Sequence, residues 1–327
     1  MVISKTPFRI SFFGGGTDYP VWYRENSGAV LSTTIDKYCY INVRYLPPFF
    51  EHKHRVVYSI IENVKSVNEI KHPAVKVLLK LFKINKGIEL HHDGDLPARS
   101  GLGSSSSFTV GMLNSLYALK GRIISKSDLA KEAIHVERDL LKENVGSQDQ
   151  VAVAYGGFNK IIFHNDHNFK IESMTLPKAR INHLQENLIL LYTGISRFAS
   201  DVAIEQIKST KKHKNELLTI RNMVDYAVDI LNSNRNINEF GKLLDESWSL
   251  KKRLSSRISN STIDQIYDTA LRNGAIGGKL LGAGGGGFML LFVPPEKQPR
   301  VRRALKEVLE VKFAFESDGS KIIYFNP

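Results

Sequence analysis

Hydrophobic residues alternate or cluster in short runs early in the chain and recur at helical spacing in several later stretches, which predicts a mixture of strands and helices. Ile3 to Phe13 reads as a strand running into Gly14-Gly15-Gly16-Thr17-Asp18-Tyr19-Pro20. Ala29–Ile35 and Tyr38–Tyr45 predict two paired strands. Residues 51–71 mix short strand signals with polar turns, and Pro73 to Phe82 predicts a short amphipathic helix. Ile88–His92 alternates as a strand and delivers the chain to Pro97-Ala98-Arg99-Ser100-Gly101-Leu102-Gly103-Ser104-Ser105-Ser106-Ser107-Phe108. Beyond that loop Val110, Leu113, Leu116 and Tyr117 share one face, which predicts a helix over about 105–119.

A second helix is expected over 126–141, capped by Ser125 or Ser127 with Asp128 in its first turn. It carries Glu137 and is followed, across a turn at Gly146, by the polar string Ser147-Gln148-Asp149-Gln150. Gly156–Phe163 and Leu188–Thr193 read as strands, and helical patterns dominate from Ser200 to about Arg272 with a break near 232–238. Gly277-Gly278-Lys279-Leu280-Leu281-Gly282-Ala283-Gly284-Gly285-Gly286-Gly287 then enters an apolar strand, Phe288 to Val293. A helix over 298–310 and a strand over 321–325 complete the pattern. This order predicts an α+β layer sandwich, and 327 residues predict two domains.

Composition narrows the function. With 42% hydrophobic and 24% charged residues the chain is of the soluble globular class, and no stretch approaches the roughly 18 apolar residues of a membrane span. No signal-peptide core follows Met1, and Cys39, the only cysteine, excludes an internal disulfide; a cytoplasmic location is expected. The formal charge of +12 invites a nucleic-acid reading, but the basic residues are scattered. The densest runs, Lys211-Lys212-His213-Lys214 and Arg300-Val301-Arg302-Arg303, read as solvated faces without aromatic interleaving. An anionic small substrate suits the charge better than a polynucleotide.

The 97–108 loop has the makings of a polyphosphate cradle. Gly101 and Gly103 allow positive φ and close approach, the helix start supplies amides and partial positive charge, and four serines add hydroxyls. An ordinary helix cap in a serine-rich loop is the plainer reading of that run taken alone. Three glycines after the first strand make room for something bulky. Gly282, Gly284 and Gly287 satisfy G-x-G-x-x-G but lead into a strand, so the match is no dinucleotide fingerprint. The sequence holds no G-x-x-x-x-G-K-[ST], no protein-kinase catalytic set, no H-E-x-x-H or paired Cys-x-x-Cys, and no G-x-S-x-G.

The three glycine-rich elements, in this order, resemble the GHMP kinases, the small-molecule kinases named for galactokinase, homoserine kinase, mevalonate kinase and phosphomevalonate kinase. Arg9–Asp18, Pro97–Ser107 and Lys279–Gly287 are similar to that family's first, second and third motifs. The resemblance implies an N-terminal ribosomal-S5-like domain, residues 1–183, a ferredoxin-like C-terminal domain, residues 184–327, and an active site between them. It implies ATP phosphates on Pro97, Arg99, Ser100, Gly101, Leu102, Gly103, Ser104, Ser105 and Ser106, with Mg²⁺ held by Ser105 (or Ser104) and Glu137. Asp149 matches the catalytic aspartate and Arg9 the basic residue facing it. Such a carboxylate stays ionised beside Arg⁺ and can accept a hydroxyl proton.

Where galactokinases carry Gly-Glu-His-Thr-Asp, this chain has Gly15 and Gly16 before Thr17, Asp18 and Tyr19, which makes galactose doubtful. The variant is most similar to the D-glycero-D-manno-heptose 7-phosphate kinase subgroup, with fucokinase-like enzymes next. Expected sugar contacts are Gly15, Gly16, Thr17, Asp18, Tyr19, Gly284 and Gly285. Arg197 is the expected ligand of the distal phosphate, with Lys5, Arg99 and the Lys251-Lys252-Arg253 run as alternatives. The expected reaction is ATP-dependent phosphorylation of the anomeric hydroxyl of the heptose 7-phosphate. Alternatives are a kinase of an unphosphorylated sugar and a sensor that binds sugar and ATP without turnover. The expected partners are thus ATP and a small sugar phosphate, with neither nucleic acid nor membrane; the sequence is compatible with a homodimer.

Overall fold

A computed structural model describes residues 1–98, 100–165, 168–195 and 199–327, the side chains of 199–201 excepted. The N-terminal half runs β1 (Val2–Phe13), α1 (Pro20–Asn26), β2 (Gly28–Tyr45), β3 (His54–Val57), β4 (Ile61–Val64), α2 (Pro73–Leu81) and β5 (Ile88–Gly94). It continues through α3 (Ser104–Leu119), α4 (Lys126–His135), α5 (Gln148–Tyr155), β6 (Phe158–Phe163), β7 (Phe169–Ser173) and α6 (Lys178–Glu186). Then come β8 (Leu188–Tyr192), α7 (Ala199–Ser209), α8 (Lys214–Asn232), α9 (Asn238–Arg253) and α10 (Ser261–Arg272). The last elements are β9 (Gly277–Leu280), β10 (Phe288–Phe292), α11 (Gln298–Ala304), β11 (Leu309–Glu310), β12 (Phe315–Glu316) and β13 (Lys321–Phe325). Among the described residues these strands form a nine-stranded sheet around β1 and β2 and a four-stranded sheet ordered β11-β8-β10-β9.

The α+β architecture expected from the sequence is the one observed. Two expected strands are in fact one. β2 runs unbroken from Gly28 to Tyr45, because Asp36 and Lys37 bulge out of its ladder with β1 instead of turning the chain. Opposite the bulge stands Pro7, which has no N–H to donate to a regular ladder. Asp36 pairs with Ala314 instead, donating its N–H to Ala314 O at 2.9 Å and accepting from Ala314 N at 2.8 Å. The helix expected over 126–141 is α-helical only to His135, and Val136–Leu140 is a single π-helical turn. The helix expected to reach 310 stops at Ala304, and Leu309–Glu310 joins the second sheet.

The chain crosses back over the expected division at residue 184. Phe315–Glu316 pairs with β2 and Lys321–Phe325 with β1, so the chain returns to the first sheet after building the second. The two layers share one core. Phe12 and Phe13 at the end of β1 meet Phe240 of α9 edge to face, with centroids 5.4 and 5.0 Å apart. Each such pair is worth about 0.5–1.5 kcal/mol beyond the area it buries. The glycine loop of the first motif thus starts from a strand fixed by this aromatic cluster.

The returning segment is held by close backbone contact. Gly156 has φ +74°, and a Cβ there would stand 2.0 Å from the backbone of Asp318 and Gly319. Gly156→Ala is therefore expected to cost about 2–4 kcal/mol through strain and displacement of that segment. Urea unfolding measures it, and an unchanged midpoint would show that the contact does not hold the segment.

Candidate active site

Arg9 is the structural centre of the site. It lies within β1 with its side chain 3% exposed, and its N–H donates to Leu102 O at 3.0 Å, which ties the strand to the glycine loop. The guanidinium forks onto Asp149: Nε donates to Oδ1 at 2.8 Å and Nη2 to Oδ2 at 2.7 Å. Its remaining nitrogen, Nη1, donates to Gly101 O at 2.6 Å. Asp149 sits in the first turn of α5 and is 24% exposed, so the pair opens to solvent only on the carboxylate side. A bidentate pair fixes both planes and leaves each carboxylate oxygen a further lone pair.

The loop before α3 is built for close approach. Gly101 and Gly103 take φ +81° and +76°, and Gly103 is the N-cap of α3. A Cβ on Gly101 would come within 2.5 Å of Leu281 O, and one on Gly282 within 2.5 Å of Gly101 Cα. The second and third glycine motifs therefore touch backbone to backbone, an approach no side chain permits. Phe288 N donates to Ser100 O at 3.1 Å, sealing the contact from the next strand. Among the described residues the Ser100 hydroxyl is buried without a hydrogen-bond partner. Pro97 is exposed at the loop entrance, Ser104 and Ser105 lie at the mouth of the helix, and Leu102 is fully buried. Arg99 and Arg197 lie outside the described residues.

Glu137 occupies the π-helical turn and is fully buried. The expected partner was Ser105 or Ser104; the serine that reaches Glu137 is Ser106, whose Oγ donates to Oε2 at 2.9 Å. Ser105 faces solvent, whereas Ser106 shares the inward face of α3 with Val110 and Leu113 at i+4 and i+7, a spacing that distinguishes the two serines. Gln150 Nε2 also donates to Oε2, while Oε1 has no partner among the described residues. Burial, reinforced by the charge of Glu143, pushes the Glu137 carboxyl up to about 8, and interactions with the Thr109 hydroxyl, Gln150 and Ser106 offset only part of this. Glu137 and Ser106 are the oxygens on offer to a divalent cation.

The first motif is used largely to build its own turn. The Thr17 hydroxyl lies 2.8 Å from Gly14 O and 3.0 Å from Ala29 O and accepts from Ala29 N, so this expected sugar contact is occupied by the loop. Asp18 is buried and accepts the N–H of Gly16 at 3.0 Å and of Gln148 at 3.4 Å. Burial, with the neighbouring charge of Asp149, raises Asp18 to about 6 against those hydrogen bonds. Tyr19 is buried beside them, its hydroxyl pushed well above the usual tyrosine range by desolvation. Gly15 faces Gln148, with 3.9 Å from its Cβ position to Nε2, but the space at Gly16 is taken by Leu217 of α8, 3.2 Å from where a Cβ would be. Gly284 and Gly285 are buried against Ile258, whose carbonyl accepts Gly285 N at 2.9 Å.

Two buried lysines border the site. Lys279 donates to Phe12 O at 2.7 Å, and Lys251 donates to Leu280 O at 3.3 Å and to Gly282 O. Lys279 was only part of a glycine motif in the sequence, and Lys251 one of an unranked basic run. Its place on the apolar stripe of α9, at i+7 from Leu244 and i+3 from Trp248, marks it as inward-facing.

Comparison with known proteins accounts for this geometry. Residues 68–157 match the model of the GHMP kinases N terminal domain and residues 227–311 that of the GHMP kinases C terminal. The chain is 30% identical to the D-glycero-alpha-D-manno-heptose 7-phosphate kinase of Campylobacter jejuni, over 97% of each chain. It is 27% identical to the galactokinase of Pyrococcus furiosus, covering 96% of this chain and 95% of that one. A crystal structure of a D-glycero-D-manno-heptose 1-phosphate kinase from Bacteroides thetaiotaomicron shares the fold, with a TM-score of 0.79 at 22% identity over the full length of both chains. The chain belongs to the GHMP kinases, and within them it is an ATP-dependent sugar kinase. Among the described residues no helix is long and apolar enough to cross a membrane.

The raised Asp18 carboxyl makes a signed prediction. The folded state holds this proton up to about pH 6 where the unfolded chain releases it near 4, so the group's stabilisation is present below pH 4 and lost between 4 and 6. The loss amounts to about 3 kcal/mol for a shift of two units. The difference in unfolding free energy between wild type and Asp18→Asn, measured from pH 4 to 7, should change by this amount in favour of the variant; a pH-independent difference refutes the assignment.

Proposed function

We propose that this chain transfers the γ-phosphoryl group of ATP to the anomeric hydroxyl of D-glycero-D-manno-heptose 7-phosphate, giving the 1,7-bisphosphate. The observation that carries the chemistry is the Arg9–Asp149 fork set against Gly101 O at the mouth of the glycine loop. In this reading the sugar O–H bond breaks as its oxygen attacks the γ-phosphorus, the proton passes to Asp149, and the bond from phosphorus to the β–γ bridging oxygen breaks to release ADP. Arg9 keeps Asp149 ionised and oriented, and lends positive charge to the developing transition state. Amides at the start of α3 and the Ser100–Gly103 backbone hold the phosphates. The proton then leaves through the solvent-open edge of Asp149.

Mg²⁺ suits Glu137 and Ser106, since among the described residues Glu137 Oε1 is buried without a hydrogen bond of normal geometry, although the Thr109 hydroxyl lies near the carboxylate, and magnesium takes few protein ligands. When bound, the ion would neutralise phosphate charge. Support for the heptose 7-phosphate comes from the two-way 97% coverage by the Campylobacter jejuni enzyme. A second reading, an unphosphorylated sugar such as fucose, draws on Leu217, which narrows the space beside Gly16.

ADP release with ATP and Mg²⁺ across heptose 7-phosphate, unphosphorylated heptose, fucose and galactose separates the readings. Turnover is expected on heptose 7-phosphate, with kcat about 10³-fold lower in Asp149→Asn, the scale of a lost general base. Turnover confined to a sugar without phosphate refutes the substrate; a fully active Asp149→Asn refutes the mechanism.

A further inference from the structure

Packing alone asks for an apolar residue at position 251. The buried stripe of α9 runs Phe240, Leu243, Leu244, Ser247, Trp248, Lys251, and the lysine is only 7% exposed. Burying an ammonium is costly unless its donors are used and its charge answered. Among the described residues its hydrogen bonds go to carbonyls, Leu280 O and Gly282 O, and none to a carboxylate. These are carbonyls of the third glycine loop, on either side of the residue whose own carbonyl abuts Gly101.

The contacts continue without a gap to the reacting pair. Lys251 grips Gly282 O, and Gly282 lies directly on the Cα of Gly101. Gly101 O receives Arg9 Nη1, and Arg9 holds both oxygens of Asp149. Every link is a hydrogen bond or a backbone contact with no side chain to absorb a displacement. We propose that Lys251 is a positioning residue for phosphoryl transfer: by clamping the third glycine loop onto Gly101 it sets the placement of Arg9 and Asp149. The proposal rests on the reading of Arg9 and Asp149 as the reacting pair.

The clamp has a distinctive pH signature. Burial and the positive charge of Arg9 push Lys251 down to about 8, with Asp18 opposing, and Lys279, itself held well below the usual lysine range by burial, lies close by. Below that pH the ammonium is charged and grips both carbonyls; above it the neutral amine loses charge and a donor. An arginine at the same place stays charged throughout. In such a variant position 251 no longer titrates, and a permanent positive charge there holds Lys279 further down, so an alkaline limb near pH 8 that disappears belongs to Lys251.

The test uses wild type, Lys251→Met, Lys251→Arg and Asp149→Asn, with whichever sugar of the panel wild type turns over. Steady-state kinetics are recorded from pH 6.5 to 9.5 with thermal melts as a folding control. Lys251→Met should lower kcat at pH 7 about 10- to 100-fold, the scale of a small misplacement of reacting groups, with KM for the sugar within about twofold. Lys251→Arg should restore most of kcat and lose the wild-type fall in kcat/KM above pH 8. A Lys251→Met enzyme with wild-type kcat, or a Lys251→Arg enzyme that keeps the alkaline limb, overturns the proposal. If Lys251→Met does not fold, the pH profile of Lys251→Arg decides alone. A fully active Asp149→Asn defeats the underlying reading instead, whatever the lysine variants do.

Discussion

A guanidinium buried within a β-strand governs this structure. Arg9 is 2% exposed, and an arginine so placed cannot shed its charge, so its nitrogens must be met by acceptors before the fold is tolerable. Asp149 and Gly101 O meet them. The consequence reaches well beyond one ion pair. The start of α5 and the loop before α3, separate in sequence, are obliged to converge on β1, and in converging they form the mouth of the site.

The second constraint is steric. The phosphate loop and the third glycine loop approach until the Cα of Gly101 and the backbone of Gly282 are in contact, and Ser100 is fastened to the next strand through Phe288 N. Glycine at these places is a condition for joining the two sheets at the site, not merely for shaping a ligand cavity. The charged groups follow from that junction. Lys279 crosses from β9 to Phe12 O and Lys251 reaches the loop itself, so the basic side chains gather at the junction of the two sheets.

The sequence made the main parts legible because they are local. The glycine loop could be marked from residue type and spacing, and Arg9, Glu137 and Asp149 through the resemblance to the GHMP kinases; the structure brings Arg9, Asp149 and the loop into contact. What was hidden depends on three dimensions. Serines in a row look alike until the helical face is assigned, which is why Ser106 and not Ser105 meets Glu137. Asp36 and Lys37 resemble a turn because a bulge and a turn use the same polar residues, and only Pro7 across the ladder distinguishes them. Lys251 could not be told apart from its neighbours in a basic run offered only as an alternative phosphate ligand, although the stripe of α9 points it inward. The two glycines of the first motif suggested open space, but whether space stays open depends on Leu217, some two hundred residues further on.

The return of the chain to its first sheet also bears on how the protein is made. β1 carries Arg9, yet one of its edges is completed by Lys321–Phe325, and the Thr6 hydroxyl bonds to Ser320, 314 positions away. On the ribosome, the strand that bears Arg9 emerges ahead of Lys321–Phe325 and waits with that edge unpaired while the chain between them is synthesised. Pairings of such long range form slowly, and an open strand edge is a place for other chains to add. During synthesis this enzyme is therefore most exposed to misassembly at the very strand that anchors the Arg9–Asp149 junction, and a chaperone that shields nascent β1 would protect that junction before it exists.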